Sequence, residues 1–338
     1  MGGVIGLDVG GANTKAAWRD GGERRTVSRP FEVWRDREAL AAVLREVAAE
    51  VAGGPAQAVA ITMTAELSDA FRTKREGVGF VLDAAEAALG GSPLLALTTA
   101  GELVTVAQAR ARPLDVAAAN WVASALAVAR LHADALMIDV GGTTADVIPI
   151  VAGRVAAAGA TDLDRLLAGE LVYTGALRTN LAAIAPRVPV RGSWCPVAAE
   201  QFAISADMHL ILGHIHPGAY TCATPDGRPA SIECARERVA RLVCADAEQL
   251  AVDEIHAIAA FVHTEQVRLI EGAARSVSGR VGGGAAPVVP LGAGAFLARE
   301  AAGRLGRAVA ELPWSTAERD AAPSVALAEL LAERLGAP

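Results

Sequence analysis

Two aspartates stand in front of paired glycines, 131 residues apart. The first lies in Val4-Ile-Gly-Leu-Asp-Val-Gly-Gly-Ala-Asn-Thr-Lys and the second in Leu136-Met-Ile-Asp-Val-Gly-Gly-Thr-Thr-Ala-Asp, so that an Asp-Val-Gly-Gly core begins at both Asp8 and Asp139. Each core closes a short apolar run and is followed by a second one, a pattern that predicts a strand, a glycine-rich turn and a returning strand. Glycine turns let backbone N–H groups approach phosphate oxygens closely. Gly10, Gly11, Gly141 and Gly142 supply the bends, while Asn13, Thr14, Thr143 and Thr144 add side-chain donors. A carboxylate repels phosphate but suits Mg²⁺, held directly or through water, and the ion then holds the phosphates. One such hairpin would be read as turn geometry alone. Its repetition, with a third glycine turn at Gly292–Gly294, points to a pair of hairpins facing each other across a cleft and clamping a di- or triphosphate.

Other clusters are less informative. His209, His214 and His216 lie near Asp207 and raise the question of a metal, but the ordered zinc spacings are missing, and they are read as loop or core histidines. His256 and His263 are seven apart on one predicted helix and read as partly buried structural residues. Cys195, Cys222, Cys234 and Cys244 form no CxxC pair and no nucleophile constellation.

The elements that must position the hairpins are read from periodicity. Helices are predicted over 37–52, 80–89, 115–132, 161–167, 200–216, 231–245, 247–272, from 296 onward and over 322–335. Strands are predicted over 58–62, 94–98 and 287–291 besides the four hairpin strands. Residues 173–196 read as loops around a site. The 338 residues carry 31 basic and 38 acidic side chains, a net charge of −7, and are 52% apolar but only 4% aromatic. A large aliphatic core is within reach and wholesale disorder is excluded. The acidic balance argues against nucleic acid and anionic membranes as partners. The longest uncharged stretch, 281–298, is broken by glycines and prolines and is no membrane span. With no secretory pattern at the N-terminus, the expectation is a reduced, cytoplasmic protein.

The hairpins at 5–17 and 137–151 and the turn at 291–295 resemble the two phosphate motifs and the adenosine motif of the actin/Hsp70/sugar-kinase superfamily. Within it, the chain resembles the hydantoinase A/oxoprolinase branch. The stretch Thr62-Met-Thr-Ala-Glu-Leu-Ser-Asp-Ala-Phe-Arg-Thr-Lys-Arg-Glu-Gly77, with Ala119-Asn-Trp121 and Glu170-Leu-Val-Tyr-Thr-Gly-Ala-Leu-Arg-Thr179, resembles a subgroup of tetrahydromethanopterin-linked one-carbon transfer proteins. Ala293 departs from the superfamily pattern, where a glycine is common, and weakens an adenine pocket more than a phosphate clamp.

The resemblance implies an α/β fold of two actin-like lobes, ribonuclease H-like duplicates with a cleft between them. The expected division is residues 1–133 and 134–338, with the helix at 322–335 packing back on the first lobe. Archaeal members of the subgroup join the phenol of γ-glutamyltyramine to an aminomethylfuran that carries a diphosphate leaving group. By that resemblance the partners are a furan diphosphate and a phenolic amine, Mg²⁺ is the cofactor, ATP is not required though its binding stays open, and so does a homo-oligomer. Asp8, Asp139 and Asp146 would surround the metal. Gly10, Gly11, Asn13, Thr14, Gly141, Gly142, Thr143, Thr144, Gly292 and Gly294 would hold the phosphates, and Lys15 either faces them or is solvated. Glu66 and Lys74 are the candidates for handling the phenol proton, against the alternative that Arg72, Lys74, Arg75 and Glu76 form an ordinary solvated run. Arg178 would pair with the glutamyl carboxylate or make a structural ion pair. Trp121 would stack on an aromatic ring or fill the core, and Asn120, inside an apolar helix, needs a partner. An ATP-dependent oxoprolinase-type enzyme or kinase and a non-catalytic nucleotide-binding scaffold are the competing readings.

Overall fold

The computed structural model describes residues 2–282 and 284–336. In chain order the strands are β1 Val4–Val9, β2 Asn13–Asp20, β3 Glu23–Pro30, β4 Ala58–Met63, β5 Leu94–Leu97, β6 Leu103–Thr105, β7 Ala135–Val140, β8 Ala145–Val151, β9 Arg154–Val155, β10 Leu171–Val172, β11 Arg187–Val190, β12 Ser193–Pro196 and β13 Val288–Leu291. The helices are α1 Leu40–Val51, α2 Lys74–Leu89, α3 Val106–Ala111, α4 Asn120–Leu131, α5 Asp162–Ala168, α6 Leu181–Ile184, α7 Ser205–Ile211, α8 Ile232–Arg241, α9 Val252–Val281, α10 Ala295–Arg304, α11 Thr316–Asp320 and α12 Ala322–Arg334. Among the described residues no helix is long and apolar enough to cross a membrane.

The chain divides into two compact units, one of Met1–Ala135, Ile150–Ala168 and Glu311–Pro338, the other of Leu136–Pro149 and Gly169–Ala310. The division differs from a single break at 133/134, because Ile150–Ala168 and the C-terminal segment cluster with the N-terminal residues. For the C-terminal segment the reason is a close backbone approach. Helix α12 lies on β1, β2, β4 and α4, and a Cβ at Gly6 would sit 2.1 Å from the Ser324 carbonyl oxygen and 2.6 Å from the Ala328 nitrogen. Only a residue without a side chain lets the helix come that near.

The first unit is built on a sheet of order β3-β2-β1-β4-β5-β6. Strand β1 runs antiparallel to β2 and parallel to β4, with Asp8 beside Lys15 on one neighbour and Thr62 on the other. Side chains alternate along β1. Leu7 and Val9 join Leu40, Leu44 and Val47 of α1 and Val81 and Leu82 of α2 in one core, whereas Gly6 and Asp8 fall on the opposite face. Strand β3 pairs with β2 over its whole length although its residues are largely exposed and include three arginines, so its sequence carries no apolar alternation.

The second unit carries the sheet β10-β8-β7-β13. Strand β13 is parallel to β7 with Leu291 beside Asp139, and β10 is antiparallel to β8 with Leu171 beside Asp146. Leu136, Ile138, Val140 and Val147 pack under α9 and α10. A separate cluster gathers α6, α8 and the start of α9. The stretch 173–196, read as loops, contains the β11–β12 hairpin.

The Gly6 contact generates a measurable expectation. Gly6→Ala should destabilise the chain by roughly 1–3 kcal/mol, because the atoms it meets are backbone and cannot swing aside. Gly79→Ala, on α2 with nothing within 4 Å of the added Cβ, should instead stabilise by up to about 1 kcal/mol. Urea midpoints of the two variants against the parent check the pair.

Candidate functional site

The first hairpin closes through a hydrogen bond from the Gly10 N–H to the Asn13 carbonyl, 2.9 Å. A Cβ at Gly10 would lie 2.6 Å from that carbonyl oxygen, whereas Gly11 has open space. The carbonyls of Gly11 and Ala12 accept from the N–H groups of Val33 and Phe31, which pins the turn from outside. Asp8 is buried at the end of β1. Lys15, its cross-strand neighbour, donates from Nζ to the Asp320 carbonyl oxygen at 2.6 Å. Thr14 is wholly buried, and its hydroxyl has no hydrogen-bond partner.

The end of β4 lies beside this turn, where the Thr64 N–H donates to the Val9 carbonyl. One turn later comes Glu66, 1% exposed. It is not part of a solvated loop. Helix α2 comes so near that a Cβ at Gly77 would lie 2.6 Å from the Glu66 Cα. Neither carboxyl oxygen has a hydrogen-bond partner. Burial above all pushes the carboxyl from its ordinary 4.5 up to about 8. The Lys74 ammonium favours ionisation, and the Asp162 charge opposes it. Ala118 holds a left-handed backbone, φ 50°, which is costly for a residue with a side chain and marks a segment that its surroundings over-determine.

Lys74 sits in the first turn of α2, which Thr73 caps by accepting from the Glu76 N–H. Its ammonium pairs with Asp162 at 2.6 Å. Asp162 also pairs with Arg165 at 3.0 Å, and Arg165 is itself buried. The Arg165 guanidinium stands over the Trp121 ring, 4.8 Å from its centroid. One face of Trp121 is therefore taken by a cation, and the residue is 3% exposed. Asn120 is half-buried at the very start of α4 and not inside it, because a short 3₁₀ turn at Pro113–Asp115 and the bend at Ala118 occupy the residues predicted as helix.

In the second unit the Gly141 N–H donates to the Thr144 carbonyl at 2.9 Å, the same closure as in the first. Position seven after the aspartate differs: Lys15 in one hairpin, Asp146 in the other. Asp139 and Asp146 are both buried, so this hairpin concentrates carboxylate. The carbonyls of Gly141 and Gly142 accept from the N–H groups of Ala176, Leu177 and Arg178. A Cβ at Gly175 would sit 2.4 Å from the Thr143 nitrogen. The segment 170–179 thus laces onto the turn, with Arg178 half-buried beside it. The third turn also closes here. Gly292, φ 80°, leaves room that a Cβ would fill at 2.5 Å from the Asp139 carboxyl oxygen, and the Gly294 N–H donates to the Val140 carbonyl. Paired buried carboxylates with a cradle kept free of side-chain atoms are oxygen donors suited to Mg²⁺.

Of the residues singled out from sequence, the first unit thus brings Asp8, Gly10 and Glu66 to adjacent strand ends, with Lys74 bearing electrostatically on Glu66. The second brings Asp139, Gly141, Gly142, Thr143, Gly292, Gly294 and Arg178 to one corner. Asp162, Arg165 and Ala118 were not foreseen. Asp162 stands 88 residues from Lys74, and no local pattern ties the two.

The profile of the hydantoinase/oxoprolinase family matches residues 57–334. The chain is 37% identical over 268 residues, 79% of each chain, to the (4-{4-[2-(gamma-L-glutamylamino)ethyl]phenoxymethyl}furan-2-yl)methanamine synthase of Methanocaldococcus jannaschii. Among solved structures it resembles a ROK family glucokinase from Streptomyces griseus, with TM-score 0.51 at 16% identity over 97% of this chain and 99% of that one. It also resembles component A of the Acidaminococcus fermentans (R)-2-hydroxyglutaryl-CoA dehydratase, with TM-score 0.50 at 16% identity over the whole of both chains. At such identity the likeness is one of fold, that of the actin/Hsp70/sugar-kinase superfamily.

The Glu66 environment makes a prediction about stability. The unfolded carboxyl loses its proton near 4.5 and the folded one near 8, so between these values the native state binds more protons and stability falls as pH rises. Glu66→Gln removes that slope. Melting temperatures of parent and variant across this window should diverge in favour of the variant with rising pH, and parallel curves would contradict the assignment.

Proposed function

The chain belongs to the hydantoinase/oxoprolinase family, and on that premise we propose that it is an aryl-alkyl transferase of methylofuran biosynthesis. The phenol of γ-glutamyltyramine attacks the furfuryl carbon of an aminomethylfuran diphosphate. The new carbon–oxygen bond forms as the bond to diphosphate breaks, and the phenolic proton passes to a base. The archaeal relative is named for a product in which a phenoxymethyl ether joins a furan methanamine to a γ-glutamylaminoethyl chain, which is the linkage such a displacement would make.

The observation that carries the reading is Glu66. Phenols lose a proton near pH 10, and a general base works best when its own pKa approaches the operating pH. A buried carboxyl at about 8 meets that requirement, and a solvated one near 4.5 does not. Lys74 favours the ionised form of Glu66 and is itself steadied by Asp162. The leaving diphosphate needs its developing charge met by fixed donors. The glycine turn of each hairpin offers backbone N–H groups for that purpose, and Arg178 offers a guanidinium for an anionic group. Asp139 and Asp146 would hold Mg²⁺, which when bound supplies charge neutralisation to the diphosphate.

The reaction is tested with the furan diphosphate, γ-glutamyltyramine and Mg²⁺, following pyrophosphate and ether together. Equal, phenol-dependent release of both is expected. No release above background overturns the reading, and ADP formed from ATP without the phenol would place the chain with ATP-dependent hydrolases or kinases. Glu66→Gln should lower kcat by about 10²–10⁴ and abolish the rise of kcat with pH that the parent shows up to about 8. Asp139→Asn should lower kcat by about 10²–10³.

A further inference from the structure

Three imidazoles from two separate segments meet in the second unit. His209 lies on α7, His214 in the turn after it, and His263 on α9. One ring nitrogen from each lies within 4.8 Å of the other two, the one such group of histidine, cysteine or carboxylate side chains among the described residues. Ring centroids are 5.4 Å apart for His209 and His214, 5.5 Å for His209 and His263, and 4.4 Å for His214 and His263. His209 and His263 are buried and His214 reaches the surface.

The proton positions are set by the surrounding bonds. The Gln266 side-chain nitrogen donates to the Thr174 hydroxyl and the Gly175 carbonyl, which turns the Gln266 oxygen toward His209 Nε2 at 3.0 Å. An amide oxygen only accepts, so the hydrogen of His209 is on Nε2 and Nδ1 keeps a lone pair. His263 Nε2 faces a Glu300 carboxylate oxygen at 2.7 Å, which places its hydrogen there and leaves a lone pair on Nδ1. That buried Nδ1 has no hydrogen-bond partner. Glu300 is held in turn by Arg304 at 2.8 Å. His209 Nδ1 lies 3.2 Å from His214 Nδ1, close to the ~3.3 Å that separates two nitrogens bound tetrahedrally at the usual zinc distance. Phe296 closes the apolar side, 4.8 Å from His209 and 5.2 Å from His214 between centroids.

We propose that His209, His214 and His263 form a binding site for a divalent transition metal of the zinc class, each through Nδ1, with a fourth position open toward the surface at His214. The arrangement has what such a site requires: three neutral nitrogen donors and, behind two of them, an acceptor that fixes the tautomer and the ring plane. Asp207 and His216, the neighbours that suggested a metal in the sequence, stay outside. Asp207 is committed to Arg238, to the Tyr220 hydroxyl and to the Ile204 N–H. His216 lies beyond the turn, against Gly218. The site does not depend on the transferase reading, since its binding is measured without substrate.

The full-length chain, stripped with chelator, is titrated with Co²⁺ in the visible and with Zn²⁺ in competition. One ion per chain is expected, with the ligand-field bands of a nitrogen-bound cobalt and without the near-ultraviolet charge-transfer band that any of the four cysteines would add. His214→Ala, which alters an exposed turn, should abolish the spectrum and the rise in melting temperature on adding Zn²⁺. Glu300→Gln should weaken binding about 10- to 100-fold. Absence of stoichiometric binding, binding undiminished in His214→Ala, or a thiolate band would each overturn the site.

Discussion

Burial of carboxylates is the constraint on which the rest depends. Asp8, Glu66, Asp139 and Asp146 are all less than a tenth exposed, and removing an ionised carboxylate from water costs several kcal/mol unless other charges or donors replace the solvent. The three aspartates occupy strands next to glycine turns. Neither Glu66 carboxyl oxygen has a hydrogen-bond partner, and the shortfall shows as a retained proton.

The duplication is geometric and not electrostatic. Both hairpins close with the same 2.9 Å turn bond, and in both units the strand parallel to the aspartate strand ends at the turn. The two units diverge immediately after that parallel strand. Beyond β4 comes the turn that buries Glu66, and beyond β13 come Gly292 and Gly294, whose lack of side chains leaves space against Asp139. Position seven after the aspartate is a lysine committed to the Asp320 carbonyl in one unit and a second buried carboxylate in the other. One backbone cradle has thus been given two charge patterns, a lysine seven positions after the aspartate in the first unit and a second buried carboxylate there in the other.

What the sequence disclosed and what it hid divide along the range of the interaction. The hairpins, β4, β5, β13, α1 and α12 are legible because each depends on its own apolar spacing or its own glycines. Strand β3 is hidden, since an edge strand whose residues are largely exposed, three arginines among them, needs no apolar alternation. Helix α4 starts later than its alanines imply, because Ala118 is bent into the left-handed region by its surroundings. Glu66 and Lys74 sit in a charged run that locally resembles any solvated loop. Only Gly77 hints otherwise, by permitting α2 to cover the glutamate. The histidines at 209 and 214 look ordinary until α9 delivers His263 and Gln266 from about fifty residues away.

Burial sets the value near 8 for Glu66, and the charges beside it adjust that value in opposite directions. The Lys74 ammonium favours the ionised carboxyl, but it also pairs with Asp162 at 2.6 Å, and Asp162 opposes the glutamate's charge. Arg165, held over Trp121, pairs with Asp162 and holds it in place. The chain Trp121–Arg165–Asp162–Lys74 therefore sets how much cation Glu66 feels. For the proposed phenol chemistry the balance is favourable. Proton transfer from a phenol to a carboxylate at 4.5 is uphill by about five and a half pKa units, and to one at 8 by about two. The cost is that about one molecule in ten is ionised at pH 7. A loss of about tenfold in population against a gain of over three decades in driving force favours the buried base, even if only half of that driving force reaches the transition state.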